Sequence, residues 1–236
     1  MGKREKSPTI LVIIPAYNEE ACIAGVIDAV REAASGADII VVNDGSGDGT
    51  ARIAGDKGVP VLSHPFNMGI GATMQTGYRY AKLKGYDVAV QVDADGQHPA
   101  DQINELVAPV VKGEADCVVG SRFLGQGDYR PSVARGAGMV VFSRVVSAII
   151  GEKVTDTTSG FRAVGKRTIG FFSQSYPDDY PEVEALVLLH KRGLVITEVP
   201  VSMEKRAGGK SSITPAKSAY YMVKVLLAIF VDLLKK

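Results

Sequence analysis

Val88-Ala89-Val90-Gln91-Val92-Asp93-Ala94-Asp95-Gly96-Gln97-His98 is the stretch that decides how this chain folds. Residues 88–92 predict a strand, with no polar side chain from Val88 to Val90, and the run ends directly on two acids one residue apart. Asp-x-Asp by itself is an ordinary solvated turn. Its place at the end of a buried strand gives it chemical meaning. In an extended segment side chains alternate, so Asp93 and Asp95 are expected to point the same way. Two such carboxylates form a hard oxygen site of the kind magnesium or manganese favours, with Gln97 and His98 to complete or flank it. A cation held there bridges the phosphates of a nucleoside diphosphate and neutralises charge as a leaving group departs.

Working outward, residues 9–14 are a β-branched run interrupted only by Leu11, the pattern of a strand buried on both faces in a parallel sheet. The run meets Pro15, and Ile23, Ile27 and Val30 then share one face of a helix. Residues 39–42 and 59–62 read as further strands, separated by the turn Asn43-Asp44-Gly45-Ser46. Residues 67–77 carry glycines, and a helix is expected from there to about residue 83. Strands alternating with helices predict an α/β fold, a mostly parallel central sheet with helices on both faces. Ligands of such sheets bind outside the carboxyl ends of the strands. The turns at 15–19, 43–46 and 93–97 all lie there, so three segments are expected to converge on one pocket. Asn-Asp-Gly-Ser is also good turn chemistry in any protein, which leaves Asp44 open to a purely local role.

The second half is less regular. Residues 116–120 predict a strand followed by Ser121-Arg122. Residues 125–138, rich in Gly, Pro and Arg, are expected to be mobile in part. Residues 139–150 look helical. Residues 194–201 form a strand whose Pro200 points to an edge or strand end, and 207–212 read as a flexible loop.

The chain has 236 residues, 46% hydrophobic and 22% charged, which suits one large globular domain. A net charge of +1 argues against broad nucleic-acid binding. Cys22 and Cys117 are far apart, in apolar surroundings and outside any CxxC pair, as expected of buried thiols in a reducing compartment. No apolar run after the charged first residues is long enough for a signal peptide, so a cytoplasmic protein is expected. A dinucleotide-binding reading is poor, because Gly69-Ile70-Gly71 is followed by Met74 where a third glycine belongs.

As an ordered set, six segments are specific: Val12 to Glu19, Val42 to Ser46, Asn67-Met68-Gly69, Asp93 to Pro99, Gly120-Ser121-Arg122 and Thr158-Ser159-Gly160-Phe161-Arg162. Over residues 9–212 the chain resembles the family 2 glycosyltransferases, in their dolichol-phosphate mannose synthase-like, polyprenyl-phosphate branch. The resemblance implies a GT-A fold, the nucleotide-diphospho-sugar transferase fold, and an inverting transfer. It implies that Pro15, Ala16, Tyr17 and Glu19 hold the nucleotide and that Asp44 contacts its base. Asp93 and Ala94 would line the donor phosphates, with Asp93, Asp95 and Gln97 at the metal and Asp95 catalytic. Arg122 and Arg135 would face phosphate or sugar, and Arg206 and Lys210 would close over the pyrophosphate. Two departures leave the donor open: Asn43 stands where many relatives carry Asp, and Asp95-Gly96-Gln97-His98 stands where mannose synthases commonly read Asp-Leu-Gln-His.

A phosphate acceptor is already anionic and needs positioning, whereas an alcohol needs a base. Arg135, Ser159 and Arg162 form a candidate acceptor-phosphate set. Asp156, Asp178, Asp179, Glu182 and Glu184 are candidate bases, and Asp156 is also a candidate salt-bridge partner of Arg162. On this reading residues 1–212 are the transferase domain and 213–236 an apolar helix. At about 1.5 Å per residue, residues 219–234 span roughly 24 Å, short of the ~30 Å hydrocarbon core. The alternatives are an interfacial helix at the inner face of the membrane, a helix docked on a membrane protein or a second copy, and a plain buried helix. The expected partners are a GDP- or UDP-sugar and a polyprenyl phosphate, or a saccharide acceptor instead. A nucleotidyltransferase reading ranks below, because Pro15-Ala16-Tyr17-Asn18-Glu19 occupies the place of its glycine-rich loop.

Overall fold

The computed structural model describes residues 7–124, 133–178 and 181–203 together with Lys224 and Leu227, giving backbone alone at 133–135 and 137–138. Among the described residues seven strands form one sheet: β1 (Ile10–Ala16), β2 (Ala37–Asn43), β3 (Val61–Ser63), β4 (Val88–Gln91), β5 (Cys117–Ser121), β6 (Arg162–Gly165) and β7 (Ile196–Pro200). Their order is β3-β2-β1-β4-β6-β5-β7. All neighbours run parallel except around β6, which is antiparallel to both β4 and β5.

The uninterrupted apolar runs have the cause expected of them. Leu11 and Ile13 of β1 face a core shared with α3 (Ile70–Lys84), α5 (Val133–Ile150), α6 (Lys166–Phe172) and α7 (Pro181–Lys191). Val12 and Ile14 face a second core with α1 (Ile23–Ala33), α2 (Thr50–Asp56) and α4 (Ile103–Val111). A strand covered on both faces needs apolar side chains at every position. Cys22 and Cys117 are both buried, and burial pushes the Cys117 thiol up to about 11, which keeps it inert. Pro200 ends β7 at the sheet edge, where its missing N–H leaves no ladder bond unmade.

Three expectations change. Helix α3 starts at Ile70, not near residue 77. Its glycines serve close approach: a Cβ on Gly71 would lie 2.3 Å from the Pro177 carbonyl oxygen, and one on Gly77 would lie 2.5 Å from Ile13 Cγ2. Residues 133–138, placed ahead of the helix expected from residue 139, are the first turns of α5. Residue 162, expected in an anion-binding loop, opens β6.

Gly71→Ala should therefore destabilise. Backbone atoms meet the new methyl, so the expected cost is about 1–3 kcal/mol, a Tm lower by about 3–10 °C. Gly25→Ala is the control: it is exposed within α1 with nothing within 4 Å of a Cβ, and it should raise Tm slightly. Equal melting temperatures for the two variants would refute the packing account.

Candidate active site

The register brings the polar turns together. Ala16 pairs with Asn43, Ile13 with Gln91, and Gln91 with Arg162. Because β6 is antiparallel, its amino end lies at the same edge as the carboxyl ends of β1, β2, β4 and β5. Loops after β1 and β2 brace each other: Asn18 N–H donates to Ser46 Oγ at 2.9 Å, Gly47 N–H to Asn18 Oδ1 at 2.9 Å, and Glu19 N–H to Thr50 Oγ1 at 2.8 Å. Asn18 adopts φ 54°, a left-handed conformation that asparagine tolerates. Pro15 and Ala16 are buried at the end of β1, while Tyr17 is exposed beside them.

At the acidic turn, β4 stops at Gln91 and residues 94–95 form a turn closed by Gly96 at φ 76°. Strand alternation therefore does not set the direction of Asp95, contrary to the expectation from the extended pattern. Gln91 Nε2 donates to Asp93 Oδ1 at 3.1 Å, and Gln97 N–H donates to Asp95 Oδ1 at 3.0 Å. His98 flanks the acids. Its ring is buried and stacked on Phe161 with centroids 5.0 Å apart, and its Nδ1 accepts from Asp93 N–H at 3.0 Å. Its Nε2 then carries the proton and faces Asp93 Oδ2 at 3.5 Å. Gly160 is packed against this turn; a Cβ there would lie 2.8 Å from Gln91 Nε2 and 3.3 Å from Asp93 Oδ2. Asp93 remains partly exposed, its side chain at 38%, and Ala94 is buried. Among the described residues no three acidic, His or Cys side chains group as a metal site. Two carboxylates and the Gln97 amide fit magnesium or manganese in company with substrate phosphates, which is how such ions are commonly held.

Asp44 is only 4% exposed. Its Oδ1 accepts from His64 Nδ1 and Met68 N–H, both at 2.8 Å, and its Oδ2 from Gly69 N–H at 2.9 Å. A carboxylate offers about four acceptor positions, and three of those of Asp44 are taken.

The expected roles of Asp156, Arg162 and Ser159 are corrected by their surroundings. Asp156 pairs with Arg122 and not with Arg162. Arg122 Nε and Nη2 each reach an Asp156 oxygen at 2.6 Å, and Arg122 N–H adds a bond at 3.1 Å. The Asp156 side chain has no exposure, which removes it as a catalytic base. Glu198 of β7 fixes the same loop, accepting from Thr155 N–H and Asp156 N–H at 2.7 Å each. Arg162 is 3% exposed and donates to the backbone carbonyls of Ser159, Thr157 and Glu182. It shares the side of β6 with Val164, the side covered by α7, so alternation turns it inward. Ser159 is 2% exposed, with its Oγ accepting from Phe161 N–H at 3.3 Å. Neither side chain is available to an acceptor phosphate.

Glu182, in the first turn of α7, is a candidate base with an altered proton affinity. Burial raises its pKa and the charge of Asp93 adds to the rise, while Arg162 opposes it. Arg135 lies in the first turn of α5, with its side chain outside the described residues. Arg206, Lys210 and the 213–236 segment, apart from helical Lys224 and Leu227, also lie outside them. Among the described residues no helix is long and apolar enough to cross a membrane.

Residues 11–169 match the family model described as Glycosyl transferase family 2. The chain belongs to glycosyl transferase family 2. This family 2 glycosyltransferase is 32% identical to the UDP-N-acetylglucosamine–dolichyl-phosphate N-acetylglucosaminyltransferase of Methanococcus voltae, across 81% of this chain and 84% of that one. It is 32% identical to the undecaprenyl-phosphate mannosyltransferase of Micrococcus luteus, across 87% of each. Among solved structures, glucosyl-3-phosphoglycerate synthase from Mycobacterium tuberculosis superposes with a TM-score of 0.71 at 23% identity, covering 96% of this chain and 78% of that one. The GT-A fold implied by the sequence resemblance is the fold observed.

Sequence reading of this glycosyltransferase passed over Gln91 and Glu198. Gln91 had a signal, a polar side chain within an apolar strand run; Glu198 had none, since its partners lie 42 and 43 residues away.

Proposed function

We propose that this enzyme transfers a sugar, with inversion, from a GDP- or UDP-sugar to a polyprenyl phosphate of the dolichyl or undecaprenyl type. The observation that carries the reading is the acid pair Asp93 and Asp95, seated where the turns after β1, β2 and β4 meet. The acceptor class is supported by the names of the relatives. An oxygen of the acceptor phosphate forms a bond to the anomeric carbon while the bond from that carbon to the diphosphate breaks. The nucleoside diphosphate leaves with the electron pair. The acceptor oxygen is already anionic, so the protein's work is positioning and charge stabilisation. Asp93, Asp95 and Gln97 would hold a magnesium or manganese ion, which would supply charge neutralisation for the departing diphosphate.

In this reading Pro15, Ala16, Tyr17 and Glu19 wall the nucleoside. Asp44 accepts one bond from a base ring N–H, which uracil and guanine have. Ala94 leaves space beside the phosphates, and Arg122, Arg206 and Lys210 offset their charge. Of the expected acceptor set Arg135 remains. The lipid acceptor places the reaction at the inner face of the cell membrane, with 216–234 as the segment that meets the membrane, a membrane protein or a second copy. A saccharide acceptor is the second reading, favoured by Glu182. Its raised pKa suits a general base, which an alcohol acceptor needs.

Calorimetric titration of UDP, GDP, UDP-glucose and GDP-mannose, each with and without manganese, tests the donor half. One base should bind, and only with the metal. Absence of binding by all four would overturn the proposed donor class.

A further inference from the structure

His64, on the loop after β3, stands outside every role assigned so far, yet it is tied to Asp44 on one side and α3 on the other. Its Nδ1 lies 2.8 Å from Asp44 Oδ1 and its Nε2 3.0 Å from Thr76 Oγ1. A carboxylate only accepts, so Nδ1 carries a proton whatever the charge of the ring. The Thr76 hydroxyl lies 3.0 Å from the Ala72 carbonyl oxygen. It either donates there and accepts from a protonated Nε2, or donates to a bare Nε2. The bond to Asp44 persists in both arrangements. His64 N–H also donates to the Asn43 carbonyl oxygen at 2.9 Å, which anchors the ring's own backbone to the end of β2.

The surroundings leave Asp44 little other freedom. Gly45 follows it at φ 67°, and a Cβ at Gly45 would lie 2.5 Å from the Phe66 carbonyl carbon. The two loops thus touch backbone to backbone. His64, Met68 N–H and Gly69 N–H occupy three acceptor positions of the carboxylate and determine where the fourth points.

We propose that His64 is a positioning residue for the donor nucleotide: it fixes the Asp44 carboxylate so that its remaining lone pair meets a base ring N–H. The inference rests on the proposed function, in which Asp44 contacts the base. It extends that reading to a histidine and a threonine that do not touch the ligand. It also assigns a ligand class. Bases with a ring N–H, uracil and guanine, benefit from the fixed lone pair, and adenine does not.

The test compares wild type, His64→Asn and His64→Leu, titrated with UDP, GDP and ADP in the presence of manganese. The Asn amide nitrogen takes the place of Nδ1 and keeps a donor on Asp44; Leu removes it. For whichever of UDP and GDP the wild type prefers, Leu should weaken binding at least tenfold and Asn should stay within about threefold, since a hydrogen bond to a charged group is worth about 1.5–3 kcal/mol. Weak ADP binding should be unchanged throughout. The ring nitrogen NMR shifts of wild type should show a protonated Nδ1, a signature that mere packing does not require. Equal weakening by Asn and Leu, or none by Leu, overturns the inference while the donor reading stands. Where the Leu variant does not fold, Asn alone decides: a tenfold loss overturns the proposal and retained binding upholds it. Failure of wild type to bind either UDP or GDP overturns the donor reading and the inference with it.

Discussion

Asp95→Ala is expected to abolish manganese-dependent nucleotide binding and to lower kcat/KM by about a thousandfold or more, because a Lewis-acid contact is worth several kcal/mol to the developing charge. The fold should survive. Asp95 is partly exposed in a turn, and the bond its carboxylate accepts from Gln97 N–H, a bond to a charged group, is worth about 1.5–3 kcal/mol. Tm should therefore fall by about 3–12 °C while the protein still folds. Asp93→Ala should cost the same binding and more stability, since Asp93 also holds Gln91 and faces His98. Calorimetry with and without manganese, beside a thermal melt, separates the two effects. Unchanged nucleotide affinity of Asp95→Ala with manganese present would sink the metal assignment.

What the sequence made legible follows from how local each signal is. The buried strand at residues 10–16 was readable because every position must be apolar when helices cover both faces. The acid pair was readable because it breaks such a run, and Asn43 to Ser46 because its turn chemistry is written in four adjacent residues. Strand β6 was not readable. Its four residues, Arg162–Gly165, begin with a charge and end with a glycine, and their burial is imposed by β4 and β5. The same holds for α3, whose glycines look like loop residues until Pro177 and Ile13 are seen against them. Charged side chains misled most. Arg162 reads as an anion ligand from its place beside Ser159 and Gly160, yet it is buried, which arginine seldom is. Three backbone carbonyls are what allow it to be. Its expected partner Asp156 belongs to Arg122, 34 residues away, a distance across which spacing carries no information.

That pairing gives Asp156→Asn an expected result opposite in kind to that of a lost base. The Arg122 guanidinium is 9% exposed and Asp156 not at all. Removing one partner leaves a buried charge uncompensated, at a cost of about 3–5 kcal/mol, a Tm lower by roughly 6–20 °C. Activity should fall with stability, because the 155–160 loop that packs Gly160 against Asp93 loses its anchor. A general base would behave otherwise, with kcat collapsing while Tm holds. Arg122→Met should match Asp156→Asn in stability loss. The pair Arg122→Met with Asp156→Leu should recover part of it, since no lone charge is then left inside. Thermal melts of the three variants decide the matter. A melting temperature of Asp156→Asn equal to that of wild type, with activity lost, would return Asp156 to the reaction itself.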